Sequence, residues 1–420
     1  MGEFLRQNLD IDGKGGVAAS PDKAVGYYYN WMRDAALATR AYYLHASATR
    51  TEKNAIMTAY AGWVLNVQTQ ADPHGIDVRA EAKFDLPDGQ VYAGGWCRPQ
   101  QDGPGLRSTT LMIWAKDLIA NGDKAYVSKY LWTGDSSNYN GGAIKYDLDY
   151  VVTAWESNGC DPWENVENTA IFWVRYNSYR SLVEGAEFAT MMGDSASAAT
   201  YSQAAASCLA SLPSFWNGQF IYEMTNRELD SAVVSALNTA YLGKSGEENF
   251  APTAPWVIAT AGTLNEYFYD AFPINQKDDA AGVPGILWGR FKGDDYGSGV
   301  WTLCTAAYAQ LLYRAADSIV VDNALPEDAS LFHFAKIFES SVEELRALSV
   351  AEFALKVAQT GDGVLDRLRY HVEPYAYHLN EQLNIDTGAP ASVENLSWSY
   401  ANVLRAMAAR DSFALHYQRL

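Results

Sequence analysis

The chain has no long apolar segment and no linker-like segment. None of its apolar runs reaches the roughly 18 residues of a membrane-spanning helix. Its start lacks the basic segment and apolar stretch of a secretory signal. A Pro- or Ser-rich stretch of the kind that joins two domains is also missing from the 420 residues. The sequence therefore excludes a membrane protein and predicts one large domain over residues 1–420.

Cysteines and metal-binding motifs are scarce. The four cysteines are Cys97, Cys160, Cys208 and Cys304. They are far apart and form no CxxC pair, which excludes zinc ribbons, thioredoxin-like sites and a dense disulfide framework. The sequence leaves open whether any of them are paired. The six histidines form no HExxH motif, and no GxxxxGK[ST] loop for a nucleotide phosphate is present. We therefore expect no metal and no cofactor.

Basic residues are the minority among the charged residues. The 31 Lys and Arg residues are outnumbered by 50 Asp and Glu residues, which gives a net charge of −19. Such a field repels nucleic-acid phosphates and anionic lipid head groups. We therefore expect neither nucleic acid nor a membrane surface as a partner.

Aromatic residues and helical periodicity, in contrast, are abundant. Aromatic residues make up 13% of the chain, with 13 Trp and 27 Tyr, which favours a ligand that stacks on rings. Apolar positions mostly recur with the period of a helix, and residues 172–186 are typical of a long amphipathic helix. Two capping boxes, Ser340 with Glu343 and Ser349 with Glu352, predict further helix starts. The chain is therefore predicted to be nearly all α.

Polar and aromatic residues concentrate in roughly every second loop, just before an apolar helix. One charged residue from each such loop gives a series with spacings of 69, 62, 66, 64 and 87 residues: Arg33, Asp102, Glu164, Asp230, Asp294 and Glu381. About 65 residues accommodate two helices, so six repeats predict an all-α (α/α)6 toroid of about twelve helices in six inner/outer pairs. An open helical solenoid with ordinary loops is the alternative.

Two carboxylates in these loops suit acid–base chemistry. Glu164 lies beside a Trp at a Pro-punctuated helix start, and apolar neighbours and nearby carboxylates both favour its protonated form, as a general acid requires. An ordinary helix start, with Asp161 as the cap and Glu164 at the third position, explains the same pattern. Glu381 is flanked by amides in a long irregular stretch before the last strong helix.

The segments around both carboxylates resemble known signatures. Asp161-Pro-Trp-Glu-Asn-Val166 and Asn380-Glu-Gln-Leu383 resemble the two catalytic motifs of the glucoamylases, glycoside hydrolase family 15. Five further blocks resemble that family in the expected order: residues 27–34, 95–104, 289–290, 301–304 and 396–401. Asn165 departs from the pattern because the family usually has a second Glu there, and Pro162 replaces a usual Leu.

The resemblance implies an inverting, exo-acting glucan 1,4-α-glucosidase. Such an enzyme releases β-D-glucose from the non-reducing ends of starch, glycogen or malto-oligosaccharides. Glu164 is expected to protonate the glycosidic oxygen, and Glu381 is expected to activate water. An inverting pair of carboxyls is separated by about 6.5–9.5 Å, which a residue on another loop can satisfy. Asp161, three residues before Glu164, is too close to be the base.

The resemblance also implies a set of substrate-binding residues. Fork-shaped Arg donors and carboxylate acceptors suit the vicinal hydroxyls of glucose, and aromatic rings shape its slot. A local ion pair between Arg33 and Asp34, and Trp residues that only fill the core, are the alternatives. The expected set is Tyr27, Trp31, Arg33, Asp34, Trp96, Arg98, Asp161, Trp163, Asn165, Arg290, Asp294, Trp301 and Trp398.

Some expectations concern the protein as a whole. We expect residues 1–420 to form a single catalytic domain with no starch-binding domain or linker, and the protein to be a monomer. By the resemblance, the protein is expected to be secreted or vacuolar. Two alternatives remain open on the sequence: a relative that cleaves trehalose or dextran with the same fold, and a non-catalytic glucan-binding protein.

Overall fold

Helices dominate the computed structural model, which describes residues 1–133, 142–297 and 299–419. The all-α prediction is therefore confirmed. None of the helices in these ranges combines the length and apolar character that crossing a bilayer requires. The chain divides into two units, one formed by residues 2–213 and the other by residues 214–420 together with residue 1.

The first unit contains eight α-helices and two pairs of short strands over its described residues. The helices are α1 (Gly2–Asn8), α2 (Met32–Leu44), α3 (Arg50–Val67), α4 (Asp102–Ala120), α5 (Lys124–Tyr126), α6 (Ala143–Ala154), α7 (Phe172–Met192) and α8 (Ser195–Ser211). The strands are β1 (Tyr29–Trp31), β2 (Lys83–Asp85), β3 (Gly159–Cys160) and β4 (Glu167–Asn168). A π-helical turn, Val127–Leu131, continues α5.

The core of the first unit lies among α2, α4, α6 and α7, and α8 packs against α7. The helix predicted over residues 172–186 is α7, which ends at Gly193 in the left-handed conformation that glycine adopts without steric cost. Strands β1 and β2 pair antiparallel and place Trp31 opposite Lys83. Strands β3 and β4 form a second antiparallel pair. Both pairs belong to the loops that precede helices.

The second unit contains eight further α-helices and one three-stranded sheet over its described residues. The helices are α9 (Ala232–Ala240), α10 (Pro255–Ala271), α11 (Pro273–Ala280), α12 (Thr302–Asp322), α13 (Asp328–Ile337), α14 (Val342–Arg346), α15 (Val350–Val372) and α16 (Ser397–Tyr417). The strands are β5 (Gly299–Trp301), β6 (Gln382–Asn384) and β7 (Pro390–Ala391), in the order β5-β6-β7.

Helix α12 is the centre of the second unit. It is buried along most of its length and packs against α9, α15 and α16. The predicted capping box of Ser349 and Glu352 is confirmed at the start of α15. The other predicted box is wrong by one residue, because Ser341 and Glu344 form it at the start of α14. The sequence contains both Ser340 with Glu343 and Ser341 with Glu344. The second pair forms the box because α14 begins at Val342.

A buried ion pair stabilises the helices around α4. The guanidinium of Arg107 donates to both carboxylate oxygens of Asp147, at 2.7 and 2.6 Å, and Gln68 donates to Asp147 at 2.9 Å. The side chains of Arg107 and Asp147 are 2% and 0% exposed. Removal of one partner from such a pair leaves a buried charge without compensation.

We expect Asp147→Asn to lower the free energy of unfolding by about 3–5 kcal/mol, because it leaves the Arg107 charge buried and unpaired. Asp328→Asn is the matched control, since Asp328 also pairs with an arginine, Arg346, but at the surface. We expect that control to cost less than about 1 kcal/mol. Denaturant unfolding curves measure both values. Equal effects in the two variants would contradict the assigned role of burial.

Candidate active site

Glu164 lies in a tight loop rather than at a helix start. The loop joins β3 to β4, and α7 begins only at Phe172. The predicted helix start at residues 161–164 is therefore wrong, because the chain turns back on itself before it becomes helical. Glu164 has a φ of 64°, in the left-handed region that costs a non-glycine residue about 1 kcal/mol or more. This backbone must be stabilised by its surroundings.

Asp161 provides that stabilisation. One of its carboxylate oxygens accepts hydrogen bonds from the backbone N–H groups of Asn165 and Val166, both at 2.8 Å, and the other accepts from the N–H of Trp163 at 3.1 Å. The backbone N–H of Glu164 donates to the carbonyl oxygen of Asp161 at 3.0 Å. The side chain of Asp161 therefore shapes the loop that presents Glu164. Its expected contact with substrate stays a prediction.

Three donors converge on one oxygen of Glu164. Its Oε1 accepts from the amide of Gln100 at 2.7 Å, from the indole N–H of Trp31 at 2.8 Å and from the guanidinium of Arg33 at 3.3 Å. No described residue donates to Oε2. A carboxylate oxygen with three donors has no lone pair left for a proton, so a proton on Glu164 must be on Oε2. The side chain is 13% exposed, so it remains partly accessible.

Arg33 is buried among three carboxylates. Its guanidinium lies 3.4 Å from Asp102, 3.3 Å from Glu164 and 3.6 Å from Asp34. Burial alone lowers the pKa of Arg33, but the charges of Asp102, Glu164 and Asp34 outweigh it and raise the pKa above its ordinary value. Arg33 is therefore charged at any pH at which the protein is folded. The local ion pair with Asp34 does exist, although it is one contact of three.

Aromatic rings surround this acid group. Trp31, which donates to Glu164, lies 5.9 Å from Tyr27 and 5.8 Å from Trp96 between ring centroids. Trp31 is 5% exposed and Trp96 is 39% exposed. Trp96 is therefore the most exposed of these three rings and has area available for stacking on a ligand. Trp163, in the Glu164 loop, is 6% exposed.

Arg98 and Asn165 have different surroundings from the rest of the expected set. Arg98 donates from its Nε to both oxygens of Glu81, at 2.6 and 2.8 Å, and its other nitrogens donate to backbone carbonyls of residues 92–96. These bonds hold the loop that carries Trp96. The side chain of Asn165 is exposed and makes no hydrogen bond with the described residues. Direct contact of either residue with substrate stays a prediction.

A disulfide joins two of these loops. Cys97, beside Trp96, is bonded to Cys160, which immediately precedes Asp161. The bond spans a sequence separation of 63 residues. Cys208 and Cys304 are free and buried. The sequence left this pairing open, and only the fold brings the two positions together.

Glu381 lies immediately before β6 in the second unit. Its side chain is 4% exposed and accepts hydrogen bonds from the hydroxyl of Ser392 and, at 3.3 Å, from the amide of Gln382. Its backbone N–H donates to the carbonyl of Val393 at 2.9 Å. Its carbonyl accepts from the N–H of Thr302 at 3.1 Å. Glu381 is thus held on the sheet that also carries Trp301.

Arg290 contacts Asp294 and Trp301, the last residue of β5 in the same sheet. Its guanidinium makes two hydrogen bonds of 2.7 Å to Asp294 and lies 4.7 Å from the ring of Trp301. Gly289 precedes it, and a Cβ there would lie 2.6 Å from the carbonyl oxygen of Gly299. Only glycine therefore fits beside Arg290 without a shift of the backbone. Within residues 214–420, Arg290, Asp294 and Trp301 are brought together as expected.

Trp398 is fixed at the first turn of α16. It is 4% exposed. The next residue, Ser399, donates its hydroxyl to the carbonyl of Asn380 at 3.1 Å, which ties this helix start to the residue before Glu381. The hydroxyl of Tyr400 accepts from the N–H of Leu379 at 3.1 Å. These two hydrogen bonds therefore connect the start of α16 to the segment that contains Glu381.

Three residues around Glu164 and Arg33 are absent from the expected set of site residues, although Asp102 was noted as one of the charged loop residues. Gln100 donates the shortest hydrogen bond to Glu164. Asp102 accepts from Arg33 and from the indole of Trp173. Lys83 lies against the rings of Trp31 and Trp96. Gln100 and Asp102 belong to the block at residues 95–104 that signalled the resemblance, so the block could have suggested them. No sequence signal marks Lys83.

Comparison with known proteins gives a consistent picture. The profile described as "Glycosyl hydrolases family 15" matches residues 5–408. A glucoamylase of Blastobotrys adeninivorans is 32% identical, over 97% of this chain and 69% of that protein. Glucoamylase 1 of Rhizopus oryzae is 31% identical, over 97% of this chain and 68% of that protein.

The solved structures agree with the sequence comparisons. A glycoside hydrolase family 15 glucoamylase from Hypocrea jecorina matches 98% of this chain and 70% of its own, with a TM-score of 0.85 and 27% identity. The structures of this group are (α/α)6 toroids, so the predicted fold class is confirmed.

We expect loss of the disulfide to destabilise the loops that hold Glu164. Closure of a loop of this length contributes about 2–4 kcal/mol in the chain-entropy account, so Cys97→Ser with Cys160→Ser should lower the unfolding temperature by several degrees. The reductant dithiothreitol should do the same to the wild type and nothing to the double variant. Cys208→Ser is the control for a buried free thiol. If reductant does not change the unfolding temperature of the wild type, the stabilising role assigned to the disulfide is wrong.

Proposed function

This chain belongs to glycosyl hydrolase family 15, and from that premise we propose how its acidic residues release glucose. The protein is an exo-acting hydrolase of starch-like α-glucans, a glucan 1,4-α-glucosidase, and inversion is the mechanism of its family. The proposal assigns Glu164 as the general acid and Glu381 as the general base. The matched relatives favour neither cleavage of trehalose or dextran nor a role in binding alone.

The main support for Glu164 as the general acid is that its two carboxylate oxygens have different surroundings. Three donors occupy Oε1, so the transferable proton is on Oε2. When Oε2 gives its proton to the glycosidic oxygen, the new negative charge already has Arg33, Trp31 and Gln100 as partners through Oε1. The hydrogen bonds that position the acid therefore also stabilise the carboxylate that the reaction produces.

Glu381 has the properties of the second group. Ser392 and Gln382 both donate to it, which favours the carboxylate form that a base needs and fixes its orientation. In the proposed mechanism it removes a proton from water as the water attacks the anomeric carbon opposite the leaving group. An inverting pair needs about 6.5–9.5 Å between carboxyls for that water. The released glucose then has the β configuration.

The remaining residues bind the sugar in this proposal. Arg33 with Asp34 and Arg290 with Asp294 offer paired donors and acceptors for hydroxyl groups. Trp96 offers the exposed aromatic face, and Trp301 and Trp398 offer rings in the second unit. Trp31 and Asp161 also position Glu164 and its loop, and Arg98 holds the loop of Trp96. Tyr27 and Trp163 complete the set of expected sugar contacts. We further propose that residues 1–420 act as one catalytic domain and that the protein is a monomer.

We also propose that the protein works in an oxidising compartment, outside the cell or in a vacuole. The disulfide between Cys97 and Cys160 supports this, because disulfides persist in oxidising compartments and are rare in the cytosol. The net charge of −19 suits a neutral glucan better than an anionic partner.

We expect Glu164→Gln and Glu381→Gln each to lower maltose hydrolysis by about 10²- to 10⁴-fold, the usual contribution of a general acid or base. Binding of maltose to the variants, measured by calorimetry, should persist because the amide keeps the shape of the side chain. Glu167→Gln and Glu394→Gln are matched controls, since both are exposed carboxylates in the same two segments. Near-normal turnover in either active-site variant would refute its assignment.

Asn165→Glu tests the departure from the family pattern. The added carboxylate can accept charge-assisted bonds from a sugar hydroxyl, stronger by about 1 kcal/mol than those of an amide. We therefore expect the ratio of maltose to isomaltose and trehalose turnover to change. The added negative charge also favours the protonated form of the neighbouring Glu164, so the alkaline limb of the pH–rate profile should move to higher pH.

Thr169→Glu is the control for that experiment, because it adds the same charge to an exposed position of the same hairpin, farther along the chain. Unchanged substrate ratios and an unchanged profile in Asn165→Glu would show that residue 165 points away from the substrate.

A further inference from the structure

Lys83 is a buried residue that the mechanism above does not use. It lies in β2, directly opposite Trp31 of β1, and is 2% exposed. Its ammonium makes no hydrogen bond and no ion pair with any residue that the structure describes. Buried lysines are normally paired with an acceptor or a carboxylate. The position of this ammonium therefore needs another explanation.

Four aromatic rings lie close to the ammonium. Its Nζ lies 3.4 Å from the ring centroid of Trp96, 4.1 Å from Tyr92, 4.3 Å from Trp31 and 4.6 Å from Tyr29. Each ring also contacts the next, at centroid distances of 5.2–6.1 Å around the set. Electron-rich ring faces replace hydrogen-bond acceptors for a cation. We call these four rings the aromatic cage.

The aromatic cage is in direct contact with the general acid. Trp31 presents its ring to Lys83 and its indole N–H to Oε1 of Glu164. A cation against the ring draws electron density from the indole and makes its N–H a stronger donor. The positive charge also acts on the carboxylate of Glu164 through surroundings of low polarity. Both effects stabilise the negative charge that Glu164 carries once it has given its proton to the leaving group.

We propose that Lys83 is a positioning residue for the general acid: its caged ammonium fixes the indoles of Trp31 and Trp96 and supplies positive charge to Glu164. The inference rests on the proposed role of Glu164 as the acid. On the alkaline limb of the pH–rate profile the rate falls because the acid loses its proton. The proposal is that Lys83 helps to set the pH at which this fall occurs.

Other charged groups also face Lys83 and Glu164. Burial lowers the pKa of Lys83, Glu164 opposes that shift, Arg98 adds to it, and Asp85 and Glu81 oppose it, so that the pKa is about 8. Arg33 is the second cation at Glu164. Because the lysine pKa is about 8, its charge is present below that pH and absent above it. The influence of Lys83 on Glu164 is therefore confined to pH values below about 8.

The test compares the alkaline limb among Lys83 variants with maltose as substrate. In Lys83→Met the positive charge is gone, so Glu164 should keep its proton to higher pH and the limb should move upward by about 0.3–1 pH unit. Lys83→Arg keeps the charge in the cage and should leave the limb in place. Should Lys83→Met fail to fold, Lys83→Gln replaces it in the same comparison.

Chemical rescue of a Lys83 variant separates the effect of the positive charge from the effect of side-chain packing. Lys83→Ala opens a space between the four rings, and its limb should also move upward. Ethylammonium chloride should return the limb towards the wild-type position, because the cation can enter the cage. Ethanol and sodium chloride at the same concentrations are the controls, and neither should move it.

Two results would overturn the proposal. An unchanged limb in a folded Lys83→Met variant would show that the charge does not act on Glu164. A raised KM with an unchanged limb would show that Lys83 contacts the sugar instead. Failure of the proposed function itself is a separate result, because it would appear as an active Glu164→Gln enzyme whatever the Lys83 variants do.

Discussion

The hydrogen bonds that converge on one oxygen of Glu164 are the constraint on which the first unit depends. They come from Trp31 on β1, Arg33 at the start of α2 and Gln100 just before α4. Three separate segments must therefore place their donors 2.7–3.3 Å from one carboxylate oxygen. The two-stranded pairs, the buried helices behind them and the disulfide all contribute to that precision, which acid catalysis requires.

This arrangement costs free energy in two ways, through strained backbone and through charged residues that are buried. Glu164 adopts a left-handed conformation, and the side chain of Asp161 stabilises it through three backbone N–H groups. Arg33 is buried, which disfavours its charge, but the carboxylates around it more than compensate. Lys83 is a buried residue, and its ammonium lies against aromatic rings rather than against a hydrogen-bond acceptor in the described part of the chain. Strained or poorly solvated groups of this kind are typical of functional sites.

Much of the fold could be predicted from the sequence because the helices are long and periodic. Helix α7 and the capping box of Ser349 with Glu352 followed from local rules that packing reinforces. The hairpin around Glu164 could not be predicted in this way. Pro162 and Asp161 suit a helix start as well as a turn, and the choice depends on pairing between β3 and β4, which are too short to leave a pattern.

The site was predictable only in part for a related reason. Arg33, Trp31 and Glu164 were found through motif resemblance, whereas Lys83 occurs in a strand of three residues and gains its surroundings only when β1 and β2 pair. The disulfide of Cys97 with Cys160 likewise depends on loops brought together by the helices. The local sequence shows which chemical groups are present. Which of these groups come into contact depends on packing between segments that are far apart in the chain.

The division of labour between Glu164 and Glu381 is the central claim, and the leaving group tests it most directly. Fluoride leaves without protonation, so α-glucosyl fluoride does not need the acid but still needs the base. We predict that Glu164→Gln loses about 10²- to 10⁴-fold of its rate on maltose and far less on α-glucosyl fluoride. Glu381→Gln should lose similar factors on both. Equal losses on both substrates in Glu164→Gln would contradict the account.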